Sequence, residues 1–422
     1  MRRLLERHPA FAVAALAIAV RLPVLLYERG RITASFFDKG DIFARTFLRS
    51  GTYGFVPGHP SAYTQPLYGF FLIPLYWVVE RSWLVVGLAH TAVAALTAVL
   101  VFRIGARLLG RWPGLAAAAI ATLQPYVIWH DMHMNREILD EALTAAAVLL
   151  LLRLVERRDL LSATGLGVVL GAAILGNVRM ILLPLIAVGF LVAWAGRGRQ
   201  VALLAVVVLA ACAAVVMPWV ARNQAEVGCA VITTDGRALW KANNVNTYRV
   251  LRSGGWIDHV PAIPGAPPTP QDASETYYRT GRYVATDECA QMRFYQHLAF
   301  TFMREHPGEK AKLALLGGSM LWDPRTTETR GRPNPGGGLD FLRKYAEATW
   351  MVALLLLAVL GFAVAGWRLR ALVLAIVVYQ TALAALFVGE TRYRVPWDFL
   401  LALLAAAALA RRIERRRERR AA

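Results

Sequence analysis

The stretch from Gln200 to Ala221 holds no charged side chain and is built almost wholly of Val, Ala and Leu. About 20 such residues are what a helix needs to cross the hydrocarbon of a bilayer. Backbone polar groups in lipid must find partners within the protein, and a helix satisfies them within one segment. The chain carries many runs of this kind. Read in order they give spans near 10–27, 83–102, 112–129, 138–155, 161–176, 180–195, 200–220, 348–366, 371–388 and 395–410. The expected fold class is an all-α polytopic membrane protein. It has about ten transmembrane helices, an amphipathic first external loop and one larger external loop subdomain. Pro66 to Val79 is apolar but short and bounded by proline, so it is expected at the interface and not as a span.

Charge gives the orientation. The sequence has 47 Lys and Arg against 28 Asp and Glu, a net charge of +19. That total alone would suit a nucleic-acid partner. Its distribution argues against one, because most Arg residues sit at the ends of apolar runs. Arg2, Arg3 and Arg7, then Arg103, Arg107 and Arg111, then Arg153, Arg157 and Arg158, then Arg197 and Arg199, then Arg368 and Arg370, and finally the cluster Arg411–Arg420 all fall on one side if there are ten spans. Basic connections mark the cytoplasmic face. Both termini are then expected in the cytoplasm, in a multi-pass protein of the inner (plasma) membrane, a siting also suggested by the Ala- and Arg-rich composition, which points to a GC-rich bacterial genome. The first apolar run has no small-residue cleavage site after it, so it is read as a span and not as a signal peptide. Three regions follow: a transmembrane catalytic module over 1–220, an extracytoplasmic loop subdomain over 221–346, and a C-terminal transmembrane module with a basic tail over 347–422. An amphipathic helix is expected in the loop from about Ala290 to Arg304. Cys229 and Cys289 both fall in that loop, where a disulfide is chemically allowed; Cys212 lies in an apolar run.

Charged residues at the outer membrane edge are costly unless paired or functional. Four places hold them. In the first loop, Asp38 and Asp41 stand at the start of a short amphipathic stretch, Ile42-Phe43-Ala44-Arg45-Thr46-Phe47-Leu48. Capping of a helix by Asp is the plain reading there, and it does not exclude catalysis. The turn from His130 to Asp140 carries Glu137, Asp140 and Glu141 at the entry of a span, more acids than one cap uses. Asp140 is one turn after Glu137, so both can face a cavity between helices. The spacing of His130, His133 and Glu137 leaves a divalent metal open, and no other cofactor is indicated. Arg179, Arg222, Arg392 and Arg394 run against the charge rule at the outer edge. A lipid-linked phosphate sits at that depth, and Arg binds phosphate with forked donors; snorkelling is the plain alternative for each. Finally, Gly389-Glu390-Thr391-Arg392-Tyr393-Arg394-Val395-Pro396 joins the last two spans, with Glu390 placed to pair with one of its Arg residues. No P-loop, no G-x-G-x-x-G in a strand–helix setting and no G-x-S-x-G is present.

These motifs together resemble the polyprenyl-phosphate-sugar-dependent membrane glycosyltransferases of the C superfamily, in the branch of protein mannosyltransferases and aminoarabinose transferases. The acidic first loop followed by Ala44, Leu48, Gly51 and Tyr53 is similar to the family's acidic loop and the Ala, Leu, Gly and Tyr that follow it in that order. Pro66-Leu67-Tyr68, the acidic helix start from Glu137 and Asn177-Val178-Arg179 follow in order. Pro218-Trp219-Val220-Ala221-Arg222-Asn223, Leu239-Trp240-Lys241-Ala242-Asn243-Asn244 and Glu390-Thr391-Arg392-Tyr393-Arg394-Val395-Pro396 complete the set. The sequence departs in the first loop, where Asp38 and Asp41 stand closer to Ala44 than in the family and Gly40 takes the place of an aromatic.

The resemblance implies transfer of a sugar from a polyprenyl-phosphate donor to a hydroxyl acceptor on the extracytoplasmic face, with inversion. The acceptor is a protein, a lipid or a glycan, and membrane lipid is the other partner. Asp38 or Asp41 would act as general base. Glu137, Asp140 and His133 would orient the acceptor or the sugar hydroxyls. Arg179, Arg222, Lys241, Arg392 and Arg394, with Glu390, would hold the lipid phosphate. A transporter or flippase for a lipid-linked sugar is the alternative. It predicts broken helices at the membrane midplane and inverted repeats, and no such repeat is seen. A weaker rival is a ligase transferring a whole glycan from a lipid diphosphate.

Overall fold

The computed structural model describes residues 7–28, 38–325 and 338–421. Arg2 and Arg3, residues 29–37 of the first loop and the Pro/Gly-rich stretch at 331–337 lie outside the described residues. The described chain is helical, and the only bridge outside helices is the isolated pair Val56–His59. In order, the helices used below are α1 (Pro9–Glu28), α2 (Lys39–Ser50), α3 (Leu67–Val79), α4 (Trp83–Leu109), α5 (Arg111–Thr122), α6 (Pro125–Asp131), α7 (Glu137–Arg157), α8 (Leu160–Gly176), α9 (Leu183–Ala195) and α10 (Arg199–Glu226). The large loop adds α11 (Gly236–Ala242), α12 (Thr247–Arg252), α13 (Pro270–Thr280), α14 (Glu288–Glu305) and α15 (Pro307–Trp322). The last are α16 (Gly338–Val364), α17 (Trp367–Leu386), α18 (Thr391–Arg394) and α19 (Asp398–Ala421).

Seven segments of the described chain are long and apolar enough to cross a membrane, among them α1, α4, α10 and α17. The other three expected spans are less regular. The helix α8 is apolar but has 17 residues. The helix α7 has 21 but opens on Glu137, Asp140 and Glu141. The expected span 112–129 is broken into α5 and α6. Pro125 is the reason: proline has no N–H and pushes the residue before it out of helical geometry. Gln124 accordingly sits in extended backbone at φ −61°, ψ 117°. The amphipathic first-loop helix appears as α2, the short apolar segment as α3, and the expected loop helix as α14. Cys229 and Cys289 are joined by a disulfide, with Cα atoms 6.0 Å apart.

Helices in lipid gain little from the hydrophobic effect between them, so close contact depends on small side chains. Gly167 and Gly171 lie on one face of α8, four residues apart, against α10; a Cβ on Gly167 would stand 2.3 Å from the Val208 carbonyl oxygen. Gly361 of α16 is tighter still, with its Cβ position 1.8 Å from the Leu404 oxygen of α19. Replacing Gly361 by Ala must push these helices apart and should lower stability by about 1–3 kcal/mol. Thermal unfolding in detergent checks this, with Gly308→Ala as control because nothing lies within 4 Å of its Cβ position.

Candidate active site at the membrane edge

The first loop is built to hold one carboxylate at a helix start. Asp38 is the N-cap of α2 and accepts from the Gly40 N–H at 2.6 Å. Gly40 leaves room for this. A Cβ there would sit 2.9 Å from the Asp38 Oδ1 and 3.1 Å from the Gly69 nitrogen of α3. So the glycine that replaces the expected aromatic lets α2 press onto α3.

Asp41 is turned the other way. It is 2% exposed and both its oxygens are engaged. Oδ1 accepts from the Tyr76 hydroxyl at 2.7 Å and from Arg81 Nε at 2.9 Å. Oδ2 accepts from Arg81 Nη2 at 2.8 Å. A forked Arg–carboxylate pair of this kind fixes direction as well as distance. Asp41 therefore fastens α2 to the far end of α3, while Asp38 faces a cavity.

That cavity, about 460 Å³, lies between the helix ends and the large loop. Its membrane side carries Asp38, Gln65, Arg136, Glu137, Arg179, Arg392 and Tyr393. Its loop side carries Asp235, Arg237, Lys241, Trp256 and Asp258. Of the residues singled out in sequence, Asp38, His130, Glu137, Arg179, Lys241 and Arg392 line it, with His130 Nε2 3.7 Å from a Glu137 carboxylate oxygen, whereas Asp41, His133, Asp140, Arg222, Glu390 and Arg394 do not.

Each absence from the cavity wall has a local cause. Arg222 donates to the carbonyls of Ser61 at 3.0 Å and Tyr53 at 3.1 Å, bracing the first loop from the end of α10. Arg394 is buried, pairing with Asp398 at 3.1 Å and donating to the Leu321 carbonyl at 2.8 Å. Asp140 is fully buried and accepts from Asn177 Nδ2 at 2.9 Å. Glu390 accepts from Arg392 Nε at 2.5 Å and so holds the guanidinium that does line the cavity. His133 is bonded at 2.7 Å to the Trp129 carbonyl. The helical spacing assumed for His130, His133 and Glu137 fails because α6 ends at Asp131 and α7 begins at Glu137. Asn135 holds the intervening turn, donating to the carbonyls of His130 and His133 and capping the Ile138 N–H. Because Asn135 does the capping, Glu137 is free to face the cavity. Among the described residues no three His, Cys, Asp or Glu side chains come together as a metal set.

Lys39, Arg136, Asp235 and Arg237 also line the cavity, although no motif in the sequence singles them out. Lys39 pairs with Asp235 at 3.0 Å and lies over the Tyr63 ring at 4.4 Å, joining the first loop to the large loop. Asp235 also caps α11. Arg237 pairs with Asp272 at 2.9 Å and Lys241 with Asp258 at 2.6 Å. Arg136 donates to Gln65 Oε1 at 2.5 Å and stands 3.9 Å from Glu137. Arg179 differs from all of these. Its guanidinium lies 3.4 Å from the Tyr393 ring centroid and has no carboxylate partner among the described residues. Aromatic stacking can orient a guanidinium while leaving its edge donors for a ligand.

The carboxylates facing the cavity are tuned apart. Burial pushes the Asp38 carboxyl up from its ordinary value of 3.8, with Arg136 the largest opposing influence. Burial acts on Asp235 too, but Lys39 and Arg237 more than offset it and hold it below the usual value.

Comparison with known proteins comes from two directions. The family of dolichyl-phosphate-mannose-protein mannosyltransferases is matched over residues 59–221. Among solved structures, the archaeal oligosaccharyltransferase AglB from Archaeoglobus fulgidus, in complex with an inhibitory peptide and a dolichol-phosphate, aligns with 99% of this chain at 12% identity and a TM-score of 0.53. The apo form of the A. fulgidus oligosaccharyltransferase gives 12% identity and 0.54 over 99% of this chain. This chain spans about half, 52%, of the length of either. ArnT from Cupriavidus metallidurans bound to undecaprenyl phosphate aligns with 94% of this chain and 77% of its own, at 14% identity and a TM-score of 0.44. No curated protein matches the chain by sequence. The resemblance drawn from the motifs, to polyprenyl-phosphate-dependent membrane glycosyltransferases, thus agrees with the matched family segment and with the fold shared with AglB.

The contrast between the two first-loop acids is testable by stability. Asp41→Ala strands Tyr76 and Arg81 and should cost about 3 kcal/mol. Arg81→Ala should be less than additive with it. Full additivity of the double variant in detergent unfolding would mean that the pair does not fasten α2.

Proposed function

We propose that this chain is a membrane glycosyltransferase. It moves a sugar from a polyprenyl-phosphate donor to a hydroxyl acceptor on the extracytoplasmic face, with inversion, from an inner (plasma) membrane with both termini in the cytoplasm. The observation that carries the reading is a pairing within one cavity at the helix ends: a carboxylate, Asp38, and a cation, Arg179, with no carboxylate partner among the described residues. A base for an acceptor hydroxyl and a receiver for a phosphate are what the reaction needs.

The acceptor oxygen attacks the anomeric carbon as the bond from that carbon to the phosphate oxygen breaks. The hydroxyl proton passes to Asp38, and the lipid phosphate leaves with the bonding electrons. A hydroxyl is a weak nucleophile, so proton removal in the transition state helps by about 10²–10⁴-fold. The departing phosphate is a stable anion and needs charge stabilisation. Arg179, Arg392 and Arg136 supply it, with Glu390 aiming Arg392 and the Tyr393 ring aiming Arg179. Glu137 and Asp235 suit hydrogen bonding to sugar or acceptor hydroxyls. The basic connections, at the helix ends away from the cavity, support the outward orientation of the site.

Radiolabelled polyprenyl-phosphate sugars, reconstituted protein and cell-envelope extract form the assay. Asp38→Asn keeps a good cap residue and removes the base, so the variant should fold normally and lose about 10²–10⁴ in rate. Arg179→Ala should lose about a hundredfold. Full activity of folded Asp38→Asn would remove the base assignment. Movement of labelled lipid across the bilayer with no transfer would favour a flippase instead.

The pH dependence follows from the direction of the Asp38 shift. The base acts when ionised, and its folded value lies above 3.8. Activity is therefore present above that raised value and is lost as pH falls through it. An acid limb in kcat/KM centred at or below 3.8 would contradict this assignment.

A further inference from the structure

The opposite end of the bundle carries a second cavity with different chemistry. The helix α19 has 24 residues and so is about 36 Å long at 1.5 Å per residue. It starts beside the site turn and ends in exposed arginines. Arg411, Arg412, Arg415, Arg416 and Arg419 recur with helical spacing and line one groove of about 600 Å³. Its other wall is apolar, formed by Leu357, Leu360, Ala363 and Val364 of α16 together with Ala408 and Leu409.

Three observations bear on what occupies it. The first is charge. Arg411 with Arg415, Arg412 with Arg416, and Arg415 with Arg419 are like-charge neighbours at i,i+4, an arrangement that destabilises a helix on its own. Only Arg411 has a carboxylate partner among the described residues, Glu414 at 3.2 Å. The second is apolar exposure. Leu360 is 62% exposed beside these guanidinium groups. The third is depth. Trp194 and Trp367 pack at 6.2 Å at this end of the bundle, with Arg368 at 5.9 and 5.7 Å from their rings. Trp and Arg together mark the membrane–water boundary, where lipid headgroups lie.

We infer that this groove is a binding site for an anionic phospholipid of the membrane leaflet. The phosphate is held by the arginine face of α19 and an acyl chain lies along Leu357, Leu360 and Val364. A polybasic segment without the apolar wall would attract such lipids only as a diffuse surface charge. The wall makes a bounded site that takes both parts of one molecule.

The test uses the full chain reconstituted in phosphatidylcholine vesicles containing spin-labelled phosphatidylglycerol, and reads the immobilised fraction. Wild type should immobilise phosphatidylglycerol in preference to spin-labelled phosphatidylcholine. The variant Arg412→Gln, Arg415→Gln, Arg416→Gln, Arg419→Gln should lose that preference by about tenfold or more. Gln keeps the helix, which circular dichroism verifies. Ala363→Trp fills the exposed groove and leaves every charge, so it should lose the preference as well. Preference that survives Ala363→Trp and vanishes in high salt would be diffuse surface attraction and would overturn the site. Equal immobilisation of the two lipids by wild type would overturn it outright. Neither variant touches the outer cavity, so this outcome is independent of whether sugar transfer is found there.

Discussion

The grip of Arg81 and Tyr76 on Asp41 is the contact on which the candidate site depends. A twelve-residue amphipathic helix such as α2 is marginal by itself in water. It is fixed because Asp41 ties it to α3 and because Gly40 lets the two helices touch. Those two constraints leave Asp38 at one defined place, the helix start, with its side chain already ordered by a cap bond. Arg222 adds a brace from α10 to the backbone of Tyr53 and Ser61, and Glu288 holds the Ala62 N–H at 3.0 Å from the large loop. The first loop is thereby clamped from three directions.

A second layer of buried charge supports the same end of the bundle. Arg21 of α1 pairs with Asp131 of α6 at 2.7 Å, both side chains 3% exposed. Gln124 donates to Asp398 at 2.9 Å, and Asp398 also receives Arg394. Charges this deep are kept only when paired. They join the broken segment between α5 and α6 to the start of α19, and so set the position of the turn that presents Arg392 and Tyr393. The polar residues of the E-x-R-Y-R-x-P turn thus divide their labour: Arg394 and Glu390 hold the turn, and Arg392 faces the cavity.

Much of this was legible in the sequence. Apolar run length located the helices, and the clustering of polar residues at their ends marked the segments that carry the cavity. Pairings distant in sequence were not legible. Nothing in the sequence joins Arg21 to Asp131 or Lys39 to Asp235, because such partners are chosen by packing. In sequence Arg179, Arg222, Arg392 and Arg394 look alike, since each sits at a span end. Burial separates them: Arg179 is left with an aromatic partner, whereas Arg222 and Arg394 are consumed by backbone carbonyls and Asp398. The metal spacing at His130, His133 and Glu137 assumed one helix where Asn135 builds a turn.

The proposed transfer is a direct displacement at the sugar carbon, with the lipid phosphate as leaving group. The most direct measurement is the anomeric configuration of the product by nuclear magnetic resonance, made with the released polyprenyl phosphate counted alongside. Direct displacement predicts inversion, with one polyprenyl phosphate released for each sugar transferred. Retention of configuration, or product formed without release of the lipid phosphate, would contradict it.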